Sequence, residues 1–115
     1  PLEYSPLIRH AASTADLVVV VTTQDAIHMA KRLKTVLRDK PTFLVLNQYV
    51  KEYGGEVDAR QMGMSKYGQM YVVCPFSGCV KKAVLEKKLP TTACKEFETC
   101  VDQAARAILN VITKL

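Results

Sequence analysis

The chain has 115 residues, of which 49% are hydrophobic and 23% charged, and its formal net charge is +5. Such a chain can fold as one domain with a hydrophobic core; it is too apolar to be disordered and too short for two domains. Its apolar runs, such as LVVVV at 17–21, are far shorter than the ~20 residues of a membrane-spanning helix, so no transmembrane segment is expected.

The first part of the chain alternates between helix and strand patterns. SPLIRHAAST at 5–14 predicts a short helix. DLVVVVTT at 16–23 predicts a strand buried on both faces, because it is continuous and β-branched. The following residues carry apolar side chains on one stripe and predict a helix over 24–38. Thr22 and Asp25 form a capping-box pattern that predicts a helix opening directly from the strand.

The second part begins with another strand pattern. TFLVLNQ at 42–48 and QMYVVCPF at 69–76 predict two further buried strands. Between them, 51–63 is expected to be a loop that ends in a helical turn closed by Gly63. Two helical patterns complete the chain, at 78–87 and 92–115.

The alternation of strands and helices predicts the fold class. Strands that alternate with helices pair in parallel, with right-handed crossovers. The sequence therefore predicts an α/β fold with a parallel sheet of about three strands and flanking helices, forming a single unit over 1–115. Three strands make a small sheet for a doubly wound domain, which indicates part of a larger one.

Four cysteines stand at spacings of five, fifteen and six residues: Cys74, Cys79, Cys94 and Cys100. None of these spacings is the CxxC of metal and redox sites. With no secretory leader, the pattern favours reduced thiols that behave as small apolar side chains in a cytoplasmic protein, over a disulfide or metal site.

Basic residues form two groups: Lys31, Arg32, Lys34, Arg38 and Lys40, then Lys81, Lys82, Lys87 and Lys88. Such groups can bind nonspecifically to DNA or to an anionic membrane surface. The interleaved acidic residues, including Asp39, favour the alternative of a solvated helix face.

The carboxyl ends of the strands are the expected place for a ligand, because open parallel sheets bind ligands there. Asn47 ends the second strand with a carboxamide, which offers a donor and an acceptor to a purine edge. Phe76 can pack on the same base, with Pro75 holding the loop rigid. The alternatives are an Asn47 that bonds the loop backbone and a Phe76 in the core.

The sequence contains no other recognisable arrangement of catalytic residues. His10 and His28 are the only histidines, and neither stands at nucleophile or metal-ligand spacing. The sequence contains neither a GxxxxGK[ST] phosphate loop nor a GxGxxG motif. These residues can thus hold a base but have nothing to hold phosphates.

The order of the motifs along the chain is similar to that of a known protein family. The chain contains PLEYSPLIRHAASTADLVVVVTTQDAIHMAKRLKTVL, then LVLNQ, then VVCPF followed by a helix. This order resembles the C-terminal half of the MinD/ParA class of P-loop ATPases. Within that class, the chain most resembles the CpaE/TadZ subfamily of pilus-assembly ATPases. This resemblance rests on LVLNQ, the turn at 61–63 and the Pro-Phe pair before a small helix. The resemblance covers almost the whole chain.

This resemblance implies roles for particular residues. Asn47 would read adenine, and Pro75, Phe76 and Ser77 would form the loop that encloses the ring. The family usually has an aspartate after Pro-Phe, where this chain has Ser77. Pro1 would follow the acidic residue of the second switch.

The resemblance also implies a parent protein. It would bind ATP, with Mg²⁺ held by a missing N-terminal half, form a homodimer through the nucleotide face and hydrolyse ATP slowly. This segment alone would be inactive, and the edge of strand 17–21 would pair with the missing half. Pilus-assembly or secretion proteins would be the partners, in the cytoplasm, at the inner membrane or at the cell pole. The alternatives are a ParA-like DNA-partition ATPase and a degenerate scaffold that does not hydrolyse ATP.

Overall fold

The computed structural model describes residues 6–37 and 40–115. Two 3₁₀ turns, Gln24–Ala26 and Lys51–Tyr53, accompany the regular elements. In chain order these are α1 (Pro6–Thr14), β1 (Val18–Thr22), α2 (Ile27–Val36), β2 (Thr42–Tyr49), α3 (Glu56–Gly63), β3 (Met64–Ser65), β4 (Gly68–Gln69), β5 (Tyr71–Pro75), α4 (Gly78–Leu85), α5 (Pro90–Ala93) and α6 (Lys95–Lys114).

A three-stranded parallel sheet organises these elements. Its strand order is β1-β2-β5, with Val18 opposite Thr42 and Leu44 opposite Tyr71. The predicted parallel α/β sheet is therefore confirmed, and its three strands lie within about two residues of the predicted ranges. A two-stranded antiparallel hairpin of β3 and β4, which the sequence pattern did not predict, precedes β5.

Helix α6 covers one face of the sheet. Cys100 and Val111 of α6 form a buried cluster with Phe43, Val72 and Cys74 of β2 and β5. The long helical stripe predicted near the C-terminus is thus the stripe that packs on the sheet, because its apolar residues recur at helical spacing.

Helices α2 and α3 cover the opposite face. Ala30 of α2 and Ala59 of α3 are buried against Leu44 and Leu46 of β2. Alanine at both contact points lets the helix backbones approach the sheet closely. Because side chains alternate along β2, its even-numbered residues meet these helices and Phe43 meets α6. The prediction of helices on both faces is confirmed.

Strand β1 departs from its prediction. Val19 and Val21 are 44% and 63% exposed, although the strand pattern predicted burial on both faces. Helix α6 packs over β5 and β2 and leaves this face of β1 open. Among the described residues, β1 pairs only with β2, so it is an edge strand.

The start of the second helix also differs from the prediction. The Thr22 hydroxyl donates to the carbonyl of Thr23, and it is Thr23 whose hydroxyl donates to Asp25. The capping box of Thr22 and Asp25 is therefore wrong. The chain first makes the 3₁₀ turn, and α2 begins only at Ile27.

A few sequence predictions fall outside the described residues. These are the role of Pro1, the first residue of the predicted 5–14 helix, and the places of Arg38 and Asp39 in the basic group. Among the described residues, no helix is long and apolar enough to cross a membrane.

The cysteine interpretation is wrong in this structure. Cys74 is disulfide-bonded to Cys100 and Cys79 to Cys94, with Cα–Cα distances of 5.7 and 5.9 Å, so all four cysteines of the chain, which lie within the described ranges, are paired. Sequence spacing missed this pairing because α6 folds back along β5 and brings Cys100 to Cys74. The expectation of a cytoplasmic protein relied partly on reduced thiols and loses that support.

A close approach explains Gly63, the last residue of α3. A Cβ at this position would lie 2.5 Å from the Cβ of Tyr71, the first residue of β5. The predicted end of the helical turn at Gly63 is confirmed, although Gly63 is not among the residues with positive φ.

We predict that Gly63→Ala destabilises the fold. The added methyl overlaps Tyr71 and forces a backbone shift, which costs about 1–3 kcal/mol of unfolding free energy in urea titrations. Gly78→Ala is the control, because nothing lies within 4 Å of its Cβ position and alanine favours a helix. Equal stability of the two variants would contradict the packing described.

We predict that the four cysteines carry no free thiol in protein purified without reductant, as measured by a thiol reagent in denaturant. The double variant Cys79→Ser/Cys94→Ser should lose about 3 kcal/mol of unfolding free energy, because one closed loop is released. Reduced wild-type protein should be less stable still, since reduction also opens Cys74–Cys100. Four reactive thiols in the unreduced protein would contradict the pairing.

Candidate functional site

A cavity of about 590 Å³ lies at the carboxyl edge of the sheet. All three strands contribute to its wall through the residues that end or follow them. Residues 23–25 follow β1, and Phe76 follows β5. Gln48 lies near the end of β2, Val50 comes directly after that strand, and Tyr53 lies in the next turn. The predicted location, the edge where parallel strands end, therefore holds a cavity.

The Gln24 side chain fixes one wall of this cavity. Its Nε2 donates to the carbonyl of Val50 at 2.8 Å, and the Val50 N–H donates to its Oε1 at 2.8 Å. Nε2 also donates to the carbonyl of Gly54. The carboxamide thus replaces a backbone partner and holds the loop of Val50 and Tyr53 to the end of β1.

A distorted backbone places Gln48 in the cavity wall. Gln48 has a φ of +55°, which is uncommon for a residue with a side chain and costs energy. The pairing of β2 with β5 shifts register between Leu46 and Tyr49, so the strand is irregular at this point. The N–H of Phe76 still donates to the carbonyl of Tyr49 at 2.8 Å, which anchors the loop after β5.

Asn47 stands directly before Gln48 and is half-buried. It lies where the pairing of β2 with β5 becomes irregular, between Leu46 and Tyr49. No hydrogen bond joins its carboxamide to any of the residues that the structure describes. The alternative of an asparagine bonded to the loop backbone is therefore not observed, and its donors and acceptor remain available.

The loop after β5 contains the other predicted residues. Phe76 is 56% exposed and lines the cavity, so the alternative of a core aromatic is wrong. Pro75 is exposed and pairs with Tyr49, and Ser77 is half-buried and precedes α4 without a capping bond from its side chain. Of the four predicted residues, Phe76 lines the cavity, while Asn47, Pro75 and Ser77 flank its lining residues in sequence.

Two disulfides brace the loop that carries Phe76. Cys74 precedes the loop and joins α6, and Cys79 follows it and joins Cys94, which precedes α6. Cys74, Cys94 and Cys100 are buried, whereas Cys79 is exposed. The loop is therefore tied to α6 at one end and to the residue before α6 at the other.

The cavity is weakly acidic, because Asp25 lines it. The Thr23 hydroxyl donates to Asp25, and this bond, followed by one from the Asp25 backbone N–H, lowers the pKa of the Asp25 carboxyl. Of the residues that the structure describes, no lysine or arginine lines the cavity. Nearby, desolvation and the hydrogen bond to Glu56 raise the pKa of Tyr49. A neutral, flat group suits this wall better than a phosphate.

The sequence pattern indicated the strand ends, Gln24 among them, but neither the bracing role of Gln24 nor the place of Tyr53 in the site. Their positions depend on how the loop after β2 folds back on β1, for which the sequence pattern carries no signal. Within residues 6–37 and 40–115 there is no group of three or more His, Cys, Asp or Glu side chains able to hold a metal ion.

Comparison of the chain with protein-family models, curated proteins and solved structures gives no match.

We predict that Gln24→Ala loosens the wall of the cavity. It removes three hydrogen bonds to the loop after β2 and should cost about 1–3 kcal/mol of unfolding free energy, because the backbone groups of Val50 and Gly54 lose their partner. Amide hydrogen exchange of Val50 should accelerate. Gln103→Ala, on the exposed side of α6, is the control, and equal exchange of Val50 in both variants would contradict the bracing role.

Proposed function

We propose that this chain binds the base of an adenine nucleotide at the carboxyl edge of its sheet. The observation that carries the proposal is the presence of two unused groups at the carboxyl ends of paired strands, Asn47 in β2 and Phe76 directly after β5. The Asn47 carboxamide is half-buried and unpartnered among the described residues, and the ring of Phe76 is exposed in the neighbouring cavity.

The chemistry of these two groups suits adenine. The Asn47 oxygen can accept from the amino group of adenine while its NH₂ donates to a ring nitrogen, which is the bidentate pattern of asparagine on that base. An aromatic side chain that stacks on a base contributes about 1–3 kcal/mol. The disulfides at Cys74 and Cys79 limit the entropy cost of ordering the Phe76 loop on binding.

The phosphates need other residues. Among the described residues no cation lines the cavity, and Asp25 would repel an anion placed beside it. In the proposal, a phosphate loop in another part of the parent protein holds the triphosphate and Mg²⁺, as in the MinD/ParA class. The role of the residues described here is to bind and orient the base.

The finer proposal follows the resemblance to CpaE/TadZ. The parent protein would be a weak ATPase that forms a homodimer through the nucleotide face and places pilus-assembly or secretion proteins at the inner membrane or cell pole. Structural disulfides persist in oxidising compartments and are rare in the cytoplasm. The two disulfides therefore count against the cytoplasmic location that the resemblance implies.

Two alternatives differ in their support. The ParA-like DNA-partition role needs free cations, but Lys31 pairs with Asp58, and Lys82 and Lys88 both approach Glu86. These pairs weaken both basic groups as a DNA surface. A scaffold without hydrolysis is favoured by Ser77, which stands where the family has an aspartate.

We predict that adenosine, which has no phosphates, binds the chain and that Asn47→Ala weakens its binding about tenfold. Loss of a bidentate contact costs about 1–3 kcal/mol, and 1.4 kcal/mol is tenfold. Isothermal titration calorimetry measures the affinity. Asn110→Ala, an exposed asparagine on α6, is the control, and guanosine should bind more weakly than adenosine.

Unchanged adenosine affinity in Asn47→Ala, or equal affinity for adenosine and guanosine, would contradict the proposed base contact.

A further inference from the structure

A second cavity lies at the opposite end of the sheet, where the strands begin. It has a volume of about 270 Å³ and lies between α2, the residues before β2 and the β3–β4 hairpin. Three lysines from these three places line it: Lys34, Lys40 and Lys66. It shares no residue with the cavity at the carboxyl edge.

Among the residues that the structure describes, no carboxylate pairs with these lysines, unlike several other lysines of the chain. Of the residues that the structure describes, none that lines the cavity is acidic. Within the same ranges, Lys34, Lys40 and Lys66 form no ion pair, whereas neighbouring Lys31 pairs with Asp58. Like charges that line one cavity repel each other, so an anion among these three lysines would be stabilising.

Two of these lysines lie against other parts of the protein. Lys34 is half-buried, and desolvation lowers the pKa of its ammonium group, so a bound anion would offset a cost that burial imposes. The Nζ of Lys66 lies 5.2 Å from the centre of the Tyr67 ring, a cation–π distance.

The polar groups nearby leave the lysines as the main donors. The Thr42 hydroxyl donates to the carbonyl of Lys40 at 3.2 Å, and the Ser65 hydroxyl is engaged within the hairpin. Among the described residues, the Tyr67 hydroxyl has no hydrogen-bond partner. Up to about nine ammonium N–H groups and one phenol can thus serve an oxygen-rich anion, at three donors per lysine.

We propose that this cavity binds a phosphate monoester through Lys34, Lys40 and Lys66. The multiple donors match the acceptor oxygens of a phosphate dianion. The volume of about 270 Å³ lies just below the usual range of ~300–1,000 Å³ for ligand sites, so the cavity suits a small ligand. The proposal is independent of the base site, because no residue is common to the two cavities.

The test is a calorimetric titration of the chain with inorganic phosphate and with glycerol 3-phosphate, at fixed ionic strength. We expect saturable binding at one site. Lys34→Gln and Lys66→Gln should each weaken it about tenfold, since a hydrogen bond to a charged group contributes enough for such a change. Lys81→Gln, an exposed lysine of α4 outside this cavity, should leave the affinity unchanged. Circular dichroism checks that each variant is folded.

A second arm separates the sources of the phosphate. Flotation with phosphatidic acid vesicles, against phosphatidylcholine vesicles, reports a lipid phosphate monoester. Binding of glycerol 3-phosphate without flotation supports a soluble ligand, and flotation lost in Lys34→Gln supports a lipid headgroup. Either result supports the proposed chemistry.

Three results would overturn the proposal. The first is an absence of saturable phosphate binding by the folded chain. The second is equal weakening by Lys81→Gln, which would indicate general charge attraction. The third is binding of a short DNA duplex that displaces phosphate and depends equally on all the lysines tested, which would indicate a nucleic-acid surface.

Discussion

The parallel pairing of β2 with both of its neighbours is the constraint on which this structure depends. Phe43, Leu44 and Leu46 are at most 2% exposed, and they divide between the two faces, where α6 lies on one side and α2 and α3 lie on the other. Because all three strands run in one direction, their carboxyl ends meet at one edge and their amino ends at the other. Each edge holds a cavity, and the two cavities differ in charge. The sheet therefore separates an aromatic site, which has no cation among its described lining residues, from a basic one.

Local structural features of several kinds fix the carboxyl edge of the sheet. Gln24 joins the end of β1 to the loop after β2 with side-chain hydrogen bonds. Gln48 adopts a left-handed conformation at an irregular point of β2, and such positions persist only when the surroundings fix them. The disulfides of Cys74 and Cys79 tie the Phe76 loop to α6 and the residue before it. A preorganised wall of this kind lowers the cost of binding a rigid, flat group.

Much of the fold could be predicted from local patterns, because a buried strand and an amphipathic helix each have a recognisable spacing. The central strand β2 and helix α6 are examples, and the position of Asn47 and Phe76 at the carboxyl edge follows from parallel pairing alone. Features that depend on how distant segments meet could not be predicted. The Cys74–Cys100 bond needs α6 to fold back on β5, and the exposure of Val19 and Val21 depends on where α6 ends its coverage of the sheet. No pattern in the sequence predicts the positive φ of Gln48.

The central claim is that the unpartnered carboxamide of Asn47 and the exposed ring of Phe76 together bind an adenine base. It is tested most directly by nuclear magnetic resonance of isotope-labelled protein during titration with adenosine. We expect saturable shifts of the side-chain NH₂ signals of Asn47 and the ring signals of Phe76, with the same dissociation constant for both. Saturable shifts elsewhere in the chain with these two groups unmoved, or the absence of any saturable shift, would contradict it.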